Sequence, residues 1–345
     1  MPEEFEQPME EQFSSPSPYE PDEHWTGTRL DLRPLQDAAE TVRTQMQKVI
    51  IGQYDLIDQL LVALFAGGHV LIEGVPGIAK TLIARMLARS LKLEFSRLQF
   101  TPDLMPSDVL GTTVFNMKES DFSFVPGPIF AQLVLIDEIN RAPAKTQSAL
   151  FEVMEEHQAT VDGVTYPLGE LFFVIATQNP IEQEGTYRLP EAQLDRFFFM
   201  LKADYPNLDE EKAILHRFAS DFDSRVQEEV QPVLGVEDIL KYRSLIEKIY
   251  IRRDLLSYIA EVVHKTREHP DLFLGASPRA SLTVMKAAKA LAGLNGRDFV
   301  TPDDIREVTY LALQHRIILT PEREMEGLRV EQVVAEILEQ IEVPR

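Results

Sequence analysis

The chain has 345 residues, of which 44% are hydrophobic, so it can bury a sizeable core and is long enough for about two domains. It contains no cysteine, which excludes disulfide bonds, thiolate zinc sites and cysteine nucleophiles. The formal net charge is −22 and the sequence has no obvious basic patch, so nucleic acid is not expected as a partner.

The first 28 residues differ in composition from the rest of the chain. They are rich in Glu, Pro and Ser, and the first Lys or Arg is Arg29. Such a segment buries too little apolar surface to offset the entropy of ordering, so residues 1–28 are predicted to be a disordered tail, with a partner-docking motif as the alternative. This N-terminus lacks the features of a signal peptide, and no apolar run approaches the roughly 18 residues that cross a bilayer. A cytoplasmic protein without a transmembrane segment is expected.

The next part of the chain alternates between two patterns. Helical periodicity begins at Leu30, and a second amphipathic run ends at Gly67-Gly68, a helix stop signal. Short apolar runs then alternate with helical segments, at 69–73, 95–100, 132–137, 171–177 and 197–201. This alternation predicts βαβ units and a mainly parallel, buried sheet.

Two segments interrupt the alternation. Residues 114–125 and 159–168 are typical of β-hairpins, the second with Asp162-Gly163 at its turn. After Pro206 the pattern is helical, and Ser277-Pro278 and Thr301-Pro302 each place a capping hydroxyl before a first-turn proline. The sequence therefore predicts an α/β domain over 29–205, a helical domain over 206–320 and a C-terminal helix or tail over 321–345.

A phosphate loop is indicated between the strand HVLIE and the helix TLIARMLARSL. Its residues are Gly74, Val75, Pro76, Gly77, Ile78, Ala79, Lys80 and Thr81. Glycines let backbone N–H groups point at phosphate, and the helix N-terminus adds a favourable field. Lys80 is expected to reach the β- and γ-phosphates and Thr81 to bind Mg²⁺. Ala79 stands where glycine usually precedes the lysine, and an alanine is sterically possible there if its φ stays negative.

A second motif supports a nucleotide site. The buried run at 133–136 ends in Asp137 and Glu138, which predicts a magnesium ligand followed by the carboxylate that handles the attacking water. Alone, such a run could be a strand end followed by a helix cap. Together with a phosphate loop about 56 residues upstream, the pair is specific for nucleotide hydrolysis.

The motifs as a set resemble the MoxR family of AAA+ ATPases, over about residues 34 to 320. They are GVPGIAKT, LVLIDEINRAP, ATQNP, GTYRLPEAQLDRF and GASPRA, and the alanine before the lysine agrees with that family. The resemblance implies an α/β fold, an AAA+ P-loop NTPase core with a parallel sheet flanked by helices and two β-hairpin inserts, followed by an all-α lid. It also implies ATP as substrate, Mg²⁺ as cofactor, and a nucleotide bound between the core and the lid.

The resemblance assigns roles to further residues. Asn179 matches the sensor-1 residue that orients the lytic water, and Arg196 matches the arginine finger supplied to a neighbouring subunit. Arg279 matches sensor 2, which would touch the γ-phosphate from the lid. Arg188 is a candidate second cation supplied to the neighbour, and Val49–Gln53 resembles the segment that packs on adenine.

Each of these roles has a simpler alternative. The strand-end Asn179 could be a turn former before Pro180. Arg196 could form an ordinary ion pair with Asp195 or Glu191, and Arg279 could be a solvated arginine in the first turn of a helix.

The resemblance further implies a homo-oligomeric ring, with a hexamer expected. Such rings act as chaperone-like activators that remodel partner proteins or insert metal into them, with a von Willebrand factor A domain protein as a frequent partner. A chelatase-type AAA+ subunit and a nucleotide-gated binding switch with little turnover are the alternatives. A nucleic-acid motor is disfavoured, because the first hairpin has Lys118 against Glu119 and Asp121, and the second has no cation.

Overall fold

The computed structural model describes residues 29–75, 77–118, 120–179, 187–219 and 229–344. The predicted tail at 1–28 and Pro76 of the predicted phosphate loop lie outside these residues. The strands of the α/β part are β1 (Val70–Glu73), β2 (Phe95–Gln99), β3 (Gly111–Asn116), β4 (Asp121–Pro126), β5 (Leu133–Asp137), β6 (Gln158–Val161), β7 (Val164–Pro167), β8 (Phe173–Gln178) and β9 (Phe199–Lys202). Its helices are α1 (Arg33–Gln47), α2 (Tyr54–Ala66), α3 (Lys80–Ser90), α4 (Pro106–Leu110), α5 (Ala144–Glu156) and α6 (Glu191–Leu194).

The rest of the described chain is mainly helical. It contains α7 (Leu208–Phe218), α8 (Val236–Glu247), α9 (Arg253–Glu268), β10 (Leu272–Leu274), α10 (Pro278–Leu294), α11 (Pro302–Leu313), β11 (Ile318–Leu319), α12 (Pro321–Met325) and α13 (Val330–Gln340). Ser277 and Thr301 are the N-caps of α10 and α11, as their positions before proline predict. The short antiparallel pair β10–β11 is a feature that the helical pattern does not indicate.

The central sheet has the strand order β2-β5-β8-β1-β9, and every neighbouring pair in it is parallel. Glu73 at the end of β1 is level with Gln178 at the end of β8, and Gln99 at the end of β2 is level with Asp137. The carboxyl ends of β1, β2, β5 and β8 therefore lie along the same edge of the sheet, and ligands bind at this edge in open α/β sheets. The predicted parallel sheet is confirmed.

Alternate residues of the strands pack into two apolar layers. Leu133 and Leu135 of β5 face the layer formed with α1, α2, α3 and the lid helices, whereas Val134 and Ile136 face the layer formed with α5. This alternation follows from the two-residue repeat of a strand. A sheet covered on both faces explains why its strands are almost continuously apolar.

The two predicted hairpins are confirmed as β3–β4 and β6–β7. Asp162 and Gly163 at the second turn have φ of 50° and 80°, the left-handed backbone that a tight hairpin requires. The hairpins touch each other, since the ring of Phe124 stacks on that of Tyr166 at 3.9 Å between centroids.

The helical part is packed onto the core through α10, which contacts α1 and α2. Helix α2 ends at Ala66 and β1 begins at Val70, and the residues between them lie beside Arg279 in the first turn of α10. The start of α10 is therefore near the amino ends of the strands. Helix α13 covers α9 and α11 and buries Val333 and Ile337.

Candidate functional site

The predicted phosphate loop lies between β1 and α3, the strand–loop–helix placement that the sequence predicts. Gly74 is closely surrounded, because a Cβ there would lie 2.6 Å from the carbonyl oxygen of Ala203. Gly77 has φ of 89° and faces open space, so it supplies a left-handed turn without filling the loop. The two glycines are therefore required for different reasons, the first for packing and the second for backbone shape.

Ala79 differs from expectation. Its φ is 61° and its ψ is 19°, so the backbone does not keep the negative φ under which an alanine fits without strain. A left-handed conformation costs an L-residue roughly 1–2 kcal/mol. The loop imposes this conformation immediately before α3, and Ala79 is exposed, so its methyl group faces solvent while the backbone strain remains.

Lys80 and Thr81 start α3 beside the end of β5. The Lys80 ammonium donates to the Gly74 carbonyl at 2.5 Å, and the Thr81 hydroxyl lies 3.4 Å from Oδ2 of Asp137. Burial lowers the pKa of Lys80, while the carboxylates of Asp137 and Glu138 oppose that shift. Two hard oxygen donors next to a lysine at a helix N-terminus fit a magnesium ion and a phosphate chain.

Glu138 and Asn179 lie at neighbouring strand ends in the same cavity. Glu138 has φ of 58° and accepts hydrogen bonds from Gln99 at 2.8 Å and pairs with Arg141 at 3.0 Å. Asn179 is 8% exposed and follows β8 directly. The cavity has a volume of about 420 Å³ and is lined by Gly77, Ala79, Lys80, Thr81, Leu82, Arg97, Gln99, Asp137, Glu138, Thr177, Gln178 and Asn179.

The cavity contains two polar residues of β2 that the sequence motifs do not single out. Arg97 donates to Oδ2 of Asp137 at 2.7 Å, and Gln99 holds Glu138. Arg97 and Gln99 are two residues apart on β2, so their side chains face the same side of the sheet. The neighbouring strand β5 ends in the acidic pair, and this proximity is what would identify them. That inference needs the β2–β5 register, which sequence alone does not provide.

A second, apolar cavity lies on the other side of the phosphate loop. It has a volume of about 130 Å³ and is lined by Val49, Ile50, Ile51, Gln53, Gly77, Ile78, Ala79, Leu82, Pro206, Ile214 and Phe218. Because Gly77, Ala79 and Leu82 line both cavities, the two meet at the loop. A flat base could pack in the apolar cavity while its phosphates enter the polar one, so the adenine prediction for Val49–Gln53 is compatible with this geometry.

Arg196 and Arg279 meet at a different place. One carboxylate, that of Glu155 at the end of α5, binds Arg196 at 2.7 Å through Oε2 and Arg279 at 2.6 Å through Oε1. Arg196 also donates to the Phe151 carbonyl at 2.9 Å. Both guanidinium groups remain partly exposed, and they line a cavity that also contains Gly68 and His69, just before β1.

This arrangement corrects the expected position of Arg279. The phosphate loop follows the carboxyl end of β1, whereas Arg196 precedes β9, whose first residue Phe199 is level with Val70 at the start of β1. The arginine pair therefore lies at the opposite edge of the sheet from its own phosphate loop. Within one chain, Arg279 does not reach that loop from the lid.

The simpler alternatives are also changed by the structure. The ion-pair partner of Arg196 is Glu155 rather than Asp195 or Glu191, and Arg279 is paired rather than fully solvated. Arg188 is exposed, and the residue before it, Tyr187, donates its N–H to the Asn140 carbonyl, which places Arg188 near Asn140. Its role stays a prediction.

The chain is similar to known proteins over most of its length. Residues 69–199 match the model of the ATPase family associated with various cellular activities (AAA), and residues 264–337 match the AAA lid domain. No helix in the described part of the chain is long and apolar enough to cross a membrane.

Two relatives and one solved structure cover nearly the whole chain. The uncharacterized protein YeaC of Bacillus subtilis is 47% identical over 91% of this chain and 96% of its own length. Chaperone MoxR1 of Mycobacterium tuberculosis is 41% identical over 87% of this chain and 81% of its own. A crystal structure from Cytophaga hutchinsonii, of a protein provisionally identified as an ATPase, has a TM-score of 0.85 and 42% identity over 91% of this chain and 97% of its own. The chain belongs to the MoxR family of AAA+ ATPases.

Proposed function

We propose that this chain hydrolyses ATP in a ring, with each active site completed by Arg196 and Arg279 of the neighbouring subunit. The observation that carries this proposal is the separation of the two groups within one chain. The phosphate loop and the arginine pair are at opposite edges of the sheet, and four residues of β1 alone span about 13 Å at about 3.3 Å per residue. Two such edges meet when one subunit packs head-to-tail on the next.

Within the receiving subunit, the polar cavity supplies the remaining groups. Lys80 neutralises the β- and γ-phosphates, Glu138 takes a proton from the attacking water, and Asn179 orients that water. Magnesium, held by Thr81 and Asp137, would offset the negative charge of the phosphates. The apolar cavity around Val49–Ile51 holds the base.

The donating subunit contributes charge. A planar guanidinium placed against the γ-phosphoryl group stabilises the charge that develops there, and such an arginine accelerates related reactions by about 10³–10⁵-fold. In the isolated chain the Glu155 carboxylate occupies both guanidinium groups. A neighbour's phosphate carries more negative charge and can replace it.

Mixing two inactive variants tests the trans arrangement. Glu138→Gln removes the water-handling carboxylate but keeps the arginines, and Arg196→Ala keeps the carboxylate but removes the finger. In mixed rings, about one interface in four pairs a competent cavity with a competent arginine, so about a quarter of the native ATPase activity is expected. Either variant alone should be nearly inactive.

The matched control is a mixture of Glu138→Gln with Lys80→Ala, which both damage the cavity. That mixture should stay inactive at every ratio. If the Glu138→Gln and Arg196→Ala mixture also stays inactive while both variants assemble, the arginine acts within its own chain and the trans proposal is wrong.

We propose further that the ring remodels or activates a protein client. Hairpin β3–β4 exposes large apolar side chains, with Met117 at 87% and Phe122 at 67%, and Phe115 packs against Phe122 at 5.1 Å between ring centroids. An apolar tip beside Asp121 suits a polypeptide better than a nucleic acid. One relative is named a chaperone, which agrees with this use. A hexamer, a von Willebrand factor A domain partner and metal insertion are what the family resemblance implies, and a cytoplasmic location is what the sequence features imply; these stay predictions. Capture of clients by the Glu138→Gln variant tests the client role.

A nucleotide-gated switch is a second candidate, favoured by the state of Glu138. Its carboxylate is held by Gln99 and Arg141, so it must be released before it can act on water. If this release is slow, the bound nucleotide would persist and turnover would be low. Single-turnover hydrolysis by the native chain and by Glu138→Gln separates the two functions, because a switch would show equally slow rates for both.

A further inference from the structure

Arg316, which follows α11 in the lid, is buried against the segment that carries Arg196. It is 5% exposed. We call residues 194–198 the finger segment. The Arg316 guanidinium donates to Oδ1 of Asp195 at 2.7 Å, to the carbonyls of Asp195 at 3.1 Å, Phe197 at 2.6 Å and Phe198 at 3.2 Å, to that of Ala312, and to the Thr283 hydroxyl at 3.4 Å.

Burying the Arg316 guanidinium costs desolvation free energy, and its many hydrogen bonds offset that cost. A buried guanidinium is stable only when it is paired and its N–H groups are hydrogen-bonded. Burial lowers the pKa of Arg316, and the Asp195 carboxylate opposes this shift. The neighbouring His315 adds a bond from its ring to the Phe197 carbonyl at 3.1 Å. The lid thus holds the backbone of the finger segment through several independent bonds.

Asp195 connects this contact to the second arginine. Its other oxygen, Oδ2, accepts a hydrogen bond from the Ser277 hydroxyl at 2.9 Å. Ser277 is the N-cap of α10 and accepts the N–H of Arg279 at 3.2 Å. The carboxylate of Asp195, the residue before Arg196, therefore binds both Arg316 and the N-terminus of the helix that carries Arg279.

We propose that Arg316 is a positioning residue for the pair Arg196 and Arg279, which it fixes as one rigid unit for presentation to the neighbouring subunit. This inference rests on the proposed trans function. Cations that stabilise a transition state must be held in place beforehand, and a misplacement of about 1 Å can cost about 10²-fold in rate. A planar fork that binds a carboxylate and several carbonyls at once supplies that rigidity.

The competing interpretation is that Arg316 only anchors the lid. An anchor affects folding and the subunit's own nucleotide cavity, whereas a positioning residue affects the site of the neighbour. The variant Arg316→Lys separates the two, because lysine keeps the charge but lacks the planar fork. Its own ATP affinity and ring assembly should stay within about twofold of native, and its ATPase activity should fall roughly 10- to 100-fold.

Directional mixing identifies the damaged role. Arg316→Lys mixed with Glu138→Gln should recover activity, because the first has a competent cavity and the second a competent arginine pair. Arg316→Lys mixed with Arg196→Ala should recover nothing, because both are defective donors. Native activity for Arg316→Lys alone, or no recovery with either partner, would overturn the inference.

The mixture of Glu138→Gln with Arg196→Ala keeps this failure separate from that of the proposed function. If that mixture recovers activity but the Arg316→Lys mixture does not, the positioning role alone is wrong. If neither recovers, the trans arrangement itself is wrong.

A milder pair of variants covers the case in which Arg316→Lys does not fold. Ser277→Gly removes the hydroxyl that bonds Asp195, and glycine is well tolerated at an N-cap. Thr301→Gly makes the same kind of change at the cap of α11. We expect ATPase activity to fall about three- to tenfold in Ser277→Gly and to stay native in Thr301→Gly. Equal losses in both would mean that cap stability, not arginine position, sets the rate, which would overturn the inference.

Discussion

The two edges of the central sheet are built in different ways. At the edge with the phosphate loop, Lys80, Asp137 and Asn179 line an open cavity at the ends of three strands. At the opposite edge, Arg196 and Arg279 are paired with a carboxylate of their own chain and backed by a buried network. The first edge is an open polar cavity, and the second holds two partly exposed cations in fixed positions, which under the proposed function face the neighbouring subunit.

The largest effect is expected at the first edge. Lys80→Ala removes the ammonium that the loop aims into the cavity, and the affinity for ATP should fall by roughly 100-fold or more. Calorimetry on the assembled protein measures this, with Lys241→Ala, an exposed lysine of α8, as the control. Unchanged affinity in Lys80→Ala would mean that the loop does not bind phosphate.

At the second edge, Arg279→Ala should separate binding from turnover. Because Arg279 lies away from its own phosphate loop, dilute monomers should bind ATP with native affinity. Turnover of the assembled protein should fall roughly 10²-fold or more, as when one preorganised donor is removed. Lys286→Ala, in the same cavity wall, is the matched control. If Arg279→Ala monomers bound ATP more weakly than native monomers, Arg279 would belong to the nucleotide site of its own chain, and the proposed division of roles between the two edges would be wrong.

The edges also differ in how far sequence predicts them. The phosphate loop and the pair Asp137-Glu138 are contiguous in sequence, and their chemistry depends on local backbone that strand and helix patterns indicate. The apolar runs, the hairpin turn at Asp162-Gly163 and the caps Ser277 and Thr301 are local in the same sense. These elements are therefore predictable without knowledge of how the helices pack.

The arginine edge depends on long-range packing. Glu155, Arg279 and Arg316 come from three segments, and their meeting depends on how α10 packs against α2. No periodicity in the sequence fixes that packing, so the position of Arg279 within one chain was wrong. Arg97 was missed for a related reason, since its contact with Asp137 requires the β2–β5 register.

Acid should weaken the second edge through His69, which lies beneath the arginine pair. Its ring accepts the Val174 N–H at 3.1 Å and donates to the Met154 carbonyl at 3.2 Å, and burial lowers its pKa to about 4. The unfolded chain, with a His pKa near about 6.5, then binds more protons than the folded one between about pH 4 and 6.5. The contribution of neutral His69 to the free energy of unfolding is fully present above about pH 6.5. It falls by up to about 3 kcal/mol as the pH drops towards 4.

Urea unfolding of His69→Gln between pH 7.5 and 5 measures this contribution. The variant should be less stable at neutral pH but lose stability less steeply on acidification, by up to about one proton of linkage. Equal slopes in the native chain and in His69→Gln would show that another group controls the acid sensitivity.

The smallest effect is expected at Ala79, where the first edge departs from the usual loop. Glycine relieves the left-handed strain of roughly 1–2 kcal/mol but loses about 0.5–1 kcal/mol through the freedom of the unfolded chain, so Ala79→Gly should gain up to about 1.5 kcal/mol. Ala213→Gly, at an exposed position inside α7 with helical backbone, should instead lose about 1 kcal/mol. If the free energy of unfolding, measured with urea, rises in Ala79→Gly and falls in Ala213→Gly, the loop holds Ala79 in the left-handed region. ATP affinity should not change, because the backbone N–H groups that face the phosphate keep their direction. A loss in both variants would mean that Ala79 has ordinary backbone and that its side chain contributes to the loop.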